Sequence, residues 1–165
     1  MSIAVHSIDA PVYQTAVEHP ADDAVIARAL SILERRIRTG CMMNSPQVVK
    51  DFLQLQASKT SGHEVFGVLF LDAQHRAIEF REMFRGTLTQ TSVYPREVVK
   101  EALELNAASV ILTHNHPSGC LEPSRADELL TQTLKSALML IDVKVLDHII
   151  TSNAGATSLA ERGLI

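Results

Sequence analysis

The 165-residue chain has little cysteine, no excess of basic charge and no long apolar run. Two cysteines, Cys41 and Cys120, cannot staple a secreted disulfide scaffold, and they form no paired ligand motif. Each reads as a small apolar side chain, although Cys120, four residues past His116, is also open to a role as an extra metal ligand or an oxidation target. No stretch approaches the ~20 apolar residues of a transmembrane helix, and no basic start leads into an apolar signal segment. A cytoplasmic protein with no membrane partner is therefore expected. A net charge of -4 and a pI near 5.9 argue against coating of nucleic acid through bulk charge. A local patch of Arg28, Arg35, Arg36 and Arg38 remains, on a helix expected over 23–39 with an apolar stripe of Ile26, Leu30, Leu33 and Ile37; solvation of the outer face is the simpler account. Repeats and low-complexity segments are absent. What is present, 46% hydrophobic and 21% charged residues, suffices for one enzyme-sized core.

The densest chemistry lies in His114-Asn115-His116-Pro117-Ser118-Gly119, followed by Ser124 and Asp127. An apolar run over 108–113 alternates like a strand, so positions 114 and 116 share one face and Asn115 points to the other. Proline withholds a ladder donor and glycine permits positive φ, so residues 117–119 turn the chain back. It returns through Ser124 into an apolar-periodic helix over 125–140, with Asp127 in its first turn. Two imidazoles and a carboxylate suit zinc and leave a fourth position for water. Ser124-x-x-Asp127 equally fits a capping box, in which hydroxyl and carboxylate satisfy free amide hydrogens at a helix start.

A metal hydrolase needs a base, and Glu64 is the candidate. It opens an almost continuous apolar run over 64–72, the pattern of a strand covered on both faces, where partial desolvation is expected to raise a carboxyl pKa toward the shuttling range. An ordinary solvated strand-end carboxylate is the alternative. His63-Glu64 does not begin a His-Glu-x-x-His helix, because position 67 is glycine and the run has a strand pattern. Elsewhere, residues 1–21 read as a loose arm, and Asp22 or Asp23 as the cap of a first helix stopped by Gly40. Ser45-Pro46 reads as the cap and first turn of a helix over 47–57. A strand over 77–84 completes a hairpin through 73–76, followed by a helix over 95–105 and strands over 144–151 and 157–159. Strands alternating with helices imply a mixed sheet covered by helices. Asp147-His148 is open to a second-layer hydrogen bond onto a metal-bound imidazole, but reads more simply as a satisfied core or edge pair.

Glu64, His114-x-His116, Ser124 and Asp127 resemble the pattern of the JAMM (MPN or JAB) metallopeptidase superfamily. Phe70-Leu71-Asp72, Gly86-Thr87, Tyr94-Pro95-Arg96-Glu97, Asn106-Ala107-Ala108, Pro123-Ser124 and Asp147-His148-Ile149 resemble, in order, the blocks of its RadC-like family. The resemblance implies a three-layer α-β-α fold similar to cytidine deaminase, with the domain over 45–165 and an N-terminal arm and helix over 1–44. It implies that His114, His116 and Asp127 ligate zinc, that Glu64 is the general acid/base, and that Ser124 stabilises the oxyanion. Cys120-Leu121 departs from the more polar or acidic pair expected after the glycine. The function expected is zinc-dependent hydrolysis of a peptide or isopeptide bond in a peptide or protein substrate. Alternatives are a DNA-repair-associated protein or nuclease, or an inactive interaction module. A deaminase would need the Pro-Cys-x-x-Cys pair that the chain lacks. Longer RadC-like members carry an N-terminal helical region that resembles DNA-binding modules, and with about forty residues ahead of the domain the DNA alternative is expected to weaken.

Overall fold

The computed structural model describes residues 20–38, 43, 45–58, 62–86 and 92–165. Residues 1–19 of the arm expected over 1–21, the helix stop at Gly40, Cys41 and Thr87 lie outside the described residues, as do the side chains of Ile26, Leu30, Leu33, Ile37, Arg36 and Arg38; residues 20–21 belong to the first helix instead. In chain order the elements are α1 (Pro20–Arg38), α2 (Pro46–Ala57), β1 (Val65–Leu71), β2 (Ala77–Arg85), α3 (Pro95–Glu104), β3 (Ser109–Asn115), α4 (Arg125–Met139), β4 (Lys144–Ser152) and β5 (Gly155–Ser158). One cap assignment is corrected, and another holds in position only. Helix α1 starts at Pro20, so Asp22 and Asp23 lie inside it. Ser45 occupies the N-cap position of α2 but makes no side-chain cap bond, and Pro46 alone sets that start through its fixed φ.

The strands form one mixed sheet in the order β2-β1-β3-β4-β5, with β3–β4 the parallel pair and the other neighbours antiparallel. Strands β1 and β3 are buried along their whole length, as continuous apolar runs require. Alternation then divides the core between two layers. Phe66, Val68, Phe70, Val110 and Leu112 pack with Val98 and Ala102 of α3 and Leu134 and Leu138 of α4. Leu69, Leu71 and Ile111 pack with Val49, Phe52 and Leu53 of α2 on the opposite face. The chain is thus a three-layer α-β-α protein of the α/β class. Even-numbered positions of β1 and β3 face α3 and α4, a parity that fixes where the polar residues at the strand ends project.

Candidate metal centre

Following that parity past the apolar segments brings the candidate residues together. His114, one residue before the end of β3, lies on the α4 side and is buried, and His116 follows on the same face just after the strand. Phe66 pairs with His114 in the antiparallel β1–β3 register, so two further residues along, Glu64 comes beside His116. Glu64 is half-buried and lines a cavity of about 590 Å³ together with His114, His116, Ser124 and Asp127. The His116 backbone N–H donates to the Thr151 carbonyl at 2.8 Å, which ties the first residue after β3 to β4. The turn then closes through Gly119 N–H donating to the His116 carbonyl at 3.1 Å, with Gly119 at φ 84°. That conformation favours glycine because a Cβ is disfavoured there.

Helix α4 brings in the carboxylate. The cap and ligand roles weighed for Ser124 and Asp127 turn out to be compatible, because they use different oxygen atoms. Asp127 Oδ2 accepts from the Ser124 N–H at 2.7 Å and from its hydroxyl at 2.6 Å, while Asp127 N–H donates back to Ser124 Oγ at 3.2 Å. This is a complete capping box. The other oxygen, Oδ1, lies 3.1 Å from His114 Nε2. Burial opposes ionisation of Asp127 most strongly, but His114 and the Ser124 hydroxyl and amide outweigh it and hold the carboxyl well below its usual range.

Three donors therefore converge. His114 Nε2 and His116 Nε2 are 2.9 Å apart, His116 Nε2 is 3.8 Å from Asp127 Oδ2, and one donor atom from each residue lies within 4.8 Å of the others. Tetrahedral zinc with bonds of about 2.0–2.1 Å spaces its donors roughly 3.3 Å apart, so the cluster has the dimensions and chemistry of a three-ligand zinc site. It is the one such His/Cys/Asp/Glu cluster among the described residues. Cys120 is exposed and its thiol is not among the donors. Its contribution is through the backbone: the carbonyl accepts from His116 Nδ1–H at 2.8 Å, which leaves Nε2 as the ring nitrogen facing the cluster. A backbone acceptor tolerates any side chain, so the Cys120-Leu121 departure leaves this support intact.

Three supporting side chains lie outside the site residues selected from sequence. Asn115 faces away from the cluster, where its Oδ1 accepts from Val65 N–H at 2.7 Å and its Nδ2 donates to the His63 carbonyl at 2.9 Å. These two bonds bracket Glu64, whose own carbonyl accepts from Gly86 N–H at 2.8 Å. The signal was its strict alternation with two candidate ligands. Asn115→Ala is expected to lower stability by about 1–3 kcal/mol, because Val65 N–H is left buried without an acceptor. An unchanged urea midpoint and slope would show that this loss does not occur.

His148 and Thr131 are the other two, and with them the Asp147-His148 pair divides. Asp147 is structural: it accepts from Ser158 Oγ at 2.6 Å, Ala160 N–H at 3.0 Å and His148 N–H at 2.7 Å, although burial still raises its pKa. His148 instead points into the centre, with Nε2 2.8 Å from His114 Nδ1 and Nδ1 2.6 Å from Thr131 Oγ1. A register irregularity explains the split. Val110 pairs with Val145 but Ile111 with Asp147, so the extra residue Leu146 turns His148 onto the face of Leu112 and His114. Bulges re-aim side chains in this way. Burial first, then the neighbouring His114, push the His148 pKa well below the usual imidazole value, which keeps the ring neutral.

Similarity to known proteins agrees with this architecture. A family model described as the RadC-like JAB domain matches residues 43–164. A UPF0758 protein of Methylibium petroleiphilum is 60% identical over 151 residues, covering 88% of this chain and 67% of the relative. UPF0758 proteins of Polaromonas sp. and Leptothrix cholodnii are 59% and 58% identical over 142 residues, covering 86% of this chain and 63% and 64% of theirs. The chain thus spans about two thirds of the length of these curated relatives.

Proposed function

The chain belongs to the RadC-like JAB domain family, and from that membership and the site geometry we propose that it is a zinc-dependent hydrolase of the JAMM type, acting on peptide or isopeptide bonds of a peptide or protein substrate. The observation that carries the proposal is the convergence of His114 Nε2, His116 Nε2 and an Asp127 carboxylate oxygen beside Glu64. His114, His116 and Asp127 would hold the metal. When bound, zinc lowers the pKa of a coordinated water from ~16 to ~7 and polarises a carbonyl. Glu64 accepts the proton of the attacking water and delivers it to the departing nitrogen. Ser124 turns its hydroxyl from Asp127 to the oxyanion that develops on the substrate, while its backbone N–H keeps hold of the carboxylate.

Two features favour this over nuclease chemistry. Among the described residues the cavity lining carries Glu64, Glu122 and Asp127 but neither lysine nor arginine, so it offers phosphate no fixed cation. One three-donor cluster also differs from the paired-metal centres that clamp both oxygens of a phosphoryl displacement. None of the described helices is long and apolar enough to cross a bilayer. Elemental analysis of the purified protein beside His116→Ala, with a peptide-library cleavage screen, tests the proposal. Stoichiometric zinc in the parent, its loss from the variant and chelator-sensitive peptide cleavage are expected. Equal zinc in both proteins would remove the ligand assignment, and cleavage of DNA alone would put the nuclease reading ahead.

A further inference from the structure

We propose that the substrate places an uncharged aliphatic side chain, from a residue flanking the scissile bond, against the apolar wall that Phe66, Val93, Ala126 and Leu130 form in the metal cavity. Two elements set this wall beside the candidate donors. Phe66 pairs with His114 in the antiparallel β1–β3 register and faces the same side, so the two stand about 5 Å apart across the sheet. On α4, Ala126 and Leu130 are one turn apart, and Leu130 follows Asp127 at i+3, the spacing of side chains that neighbour each other on a helix surface. Val93 comes from the segment leading into α3 and, like Leu130, is half-buried against the core, while Ala126 is exposed. A molecule whose carbonyl reaches the three donors therefore also covers these apolar groups. The adjoining wall thus contacts the residues next to the cut rather than remote parts of the chain.

The chemistry of the wall selects its occupant. None of the four side chains donates or accepts a hydrogen bond, so a polar group pressed against them loses its water without compensation. Glu64, Glu122 and Asp127 share the cavity with no lysine or arginine among its described lining residues, which disfavours an acidic group as well. An aliphatic side chain meets neither cost and removes apolar surface of both partners from water. Size is set on α4, where Ala126 is the smallest member of the wall. Ala126→Leu narrows the space and Leu130→Ala widens it.

Selection during cleavage rests on the hydrolase reading, whereas binding to the wall does not, so the two are read separately on the full chain. Methyl NMR during titration with N-acetyl-leucine methylamide should show shifts at Val93 and Leu130 that the glycine and aspartate counterparts do not produce, and Ala126→Leu should suppress them. In a peptide-library cleavage screen, Leu, Ile or Val should be favoured over Gly about 10–100-fold in kcat/KM at one position flanking the cut. Ala126→Leu should move that choice toward Gly and Ala, and Leu130→Ala toward Met and Phe, opposite shifts that a general loss of folding does not produce. Cleavage with no aliphatic preference at either flanking position, with basic residues preferred there, or with a preference that neither variant moves overturns the subsite and leaves the hydrolase reading standing. Leucine-selective methyl shifts in a protein that cleaves no peptide uphold the subsite and defeat the hydrolase reading. Absence of both shifts and cleavage defeats both.

Discussion

Glu64→Gln is expected to keep its zinc and lose about 10²–10⁴-fold in the rate of amide hydrolysis, the usual range for removing a positioned general acid/base. Glutamine matches glutamate in shape and still hydrogen-bonds, but it cannot take a proton from water at neutral pH. The carboxylate is not among the three converging donors, so metal uptake should be unaffected. The backbone on either side of it is held by Asn115, and its own carbonyl by Gly86, so the substitution leaves the strand opening in place. The comparison to make is kcat at matched zinc content. Hydrolysis at the parent rate would remove Glu64 from the mechanism, and loss of metal along with activity would make it part of the binding site.

That expectation could be framed from sequence because Glu64, His114 and His116 lie at the ends of two apolar runs whose alternation is strict. A strand buried on both faces has to be apolar almost throughout, and one polar residue at its mouth stands out. The same logic located β1, β3 and α4, whose starts are punctuated by polar residues or a turn. What lay beyond reach depended on register between strands far apart in sequence. Without the extra residue at Leu146, Asp147 would share the face of His114 and His148 would point toward α2. No local propensity marks that irregularity, so the pair read as structural when only its acid is. Thr131 was invisible for a related reason: a threonine within a helix has meaning only once the ring it touches has been placed. The role of Cys120 was hidden because its working atom is a carbonyl oxygen, which every residue has.

Asp127→Ala is expected to abolish zinc uptake and to cost about 1 kcal/mol in stability without metal, because the side chain is both the one carboxylate among the converging donors and an arm of the α4 cap. Ser124→Ala separates the two losses. It should likewise weaken the cap by about 0.5–2 kcal/mol. It keeps both imidazoles and the carboxylate, so zinc binding survives, while loss of an oxyanion donor should slow hydrolysis about 10²–10³-fold. Unfolding in chelator and in excess zinc reads both effects. Metal at a hundred times its Kd stabilises a folded protein by about 2.7 kcal/mol, a gain expected in the parent and in Ser124→Ala and absent from Asp127→Ala. If Asp127→Ala gained as much from zinc as the parent, the cap would be the whole role of the residue. Because Oδ2 is already engaged by Ser124, the remaining oxygen, Oδ1, reaches His114 from a carboxylate whose orientation is set before metal arrives. Losing the serine hydroxyl should therefore lower zinc affinity far less than losing the carboxylate, since the Ser124 N–H continues to orient it.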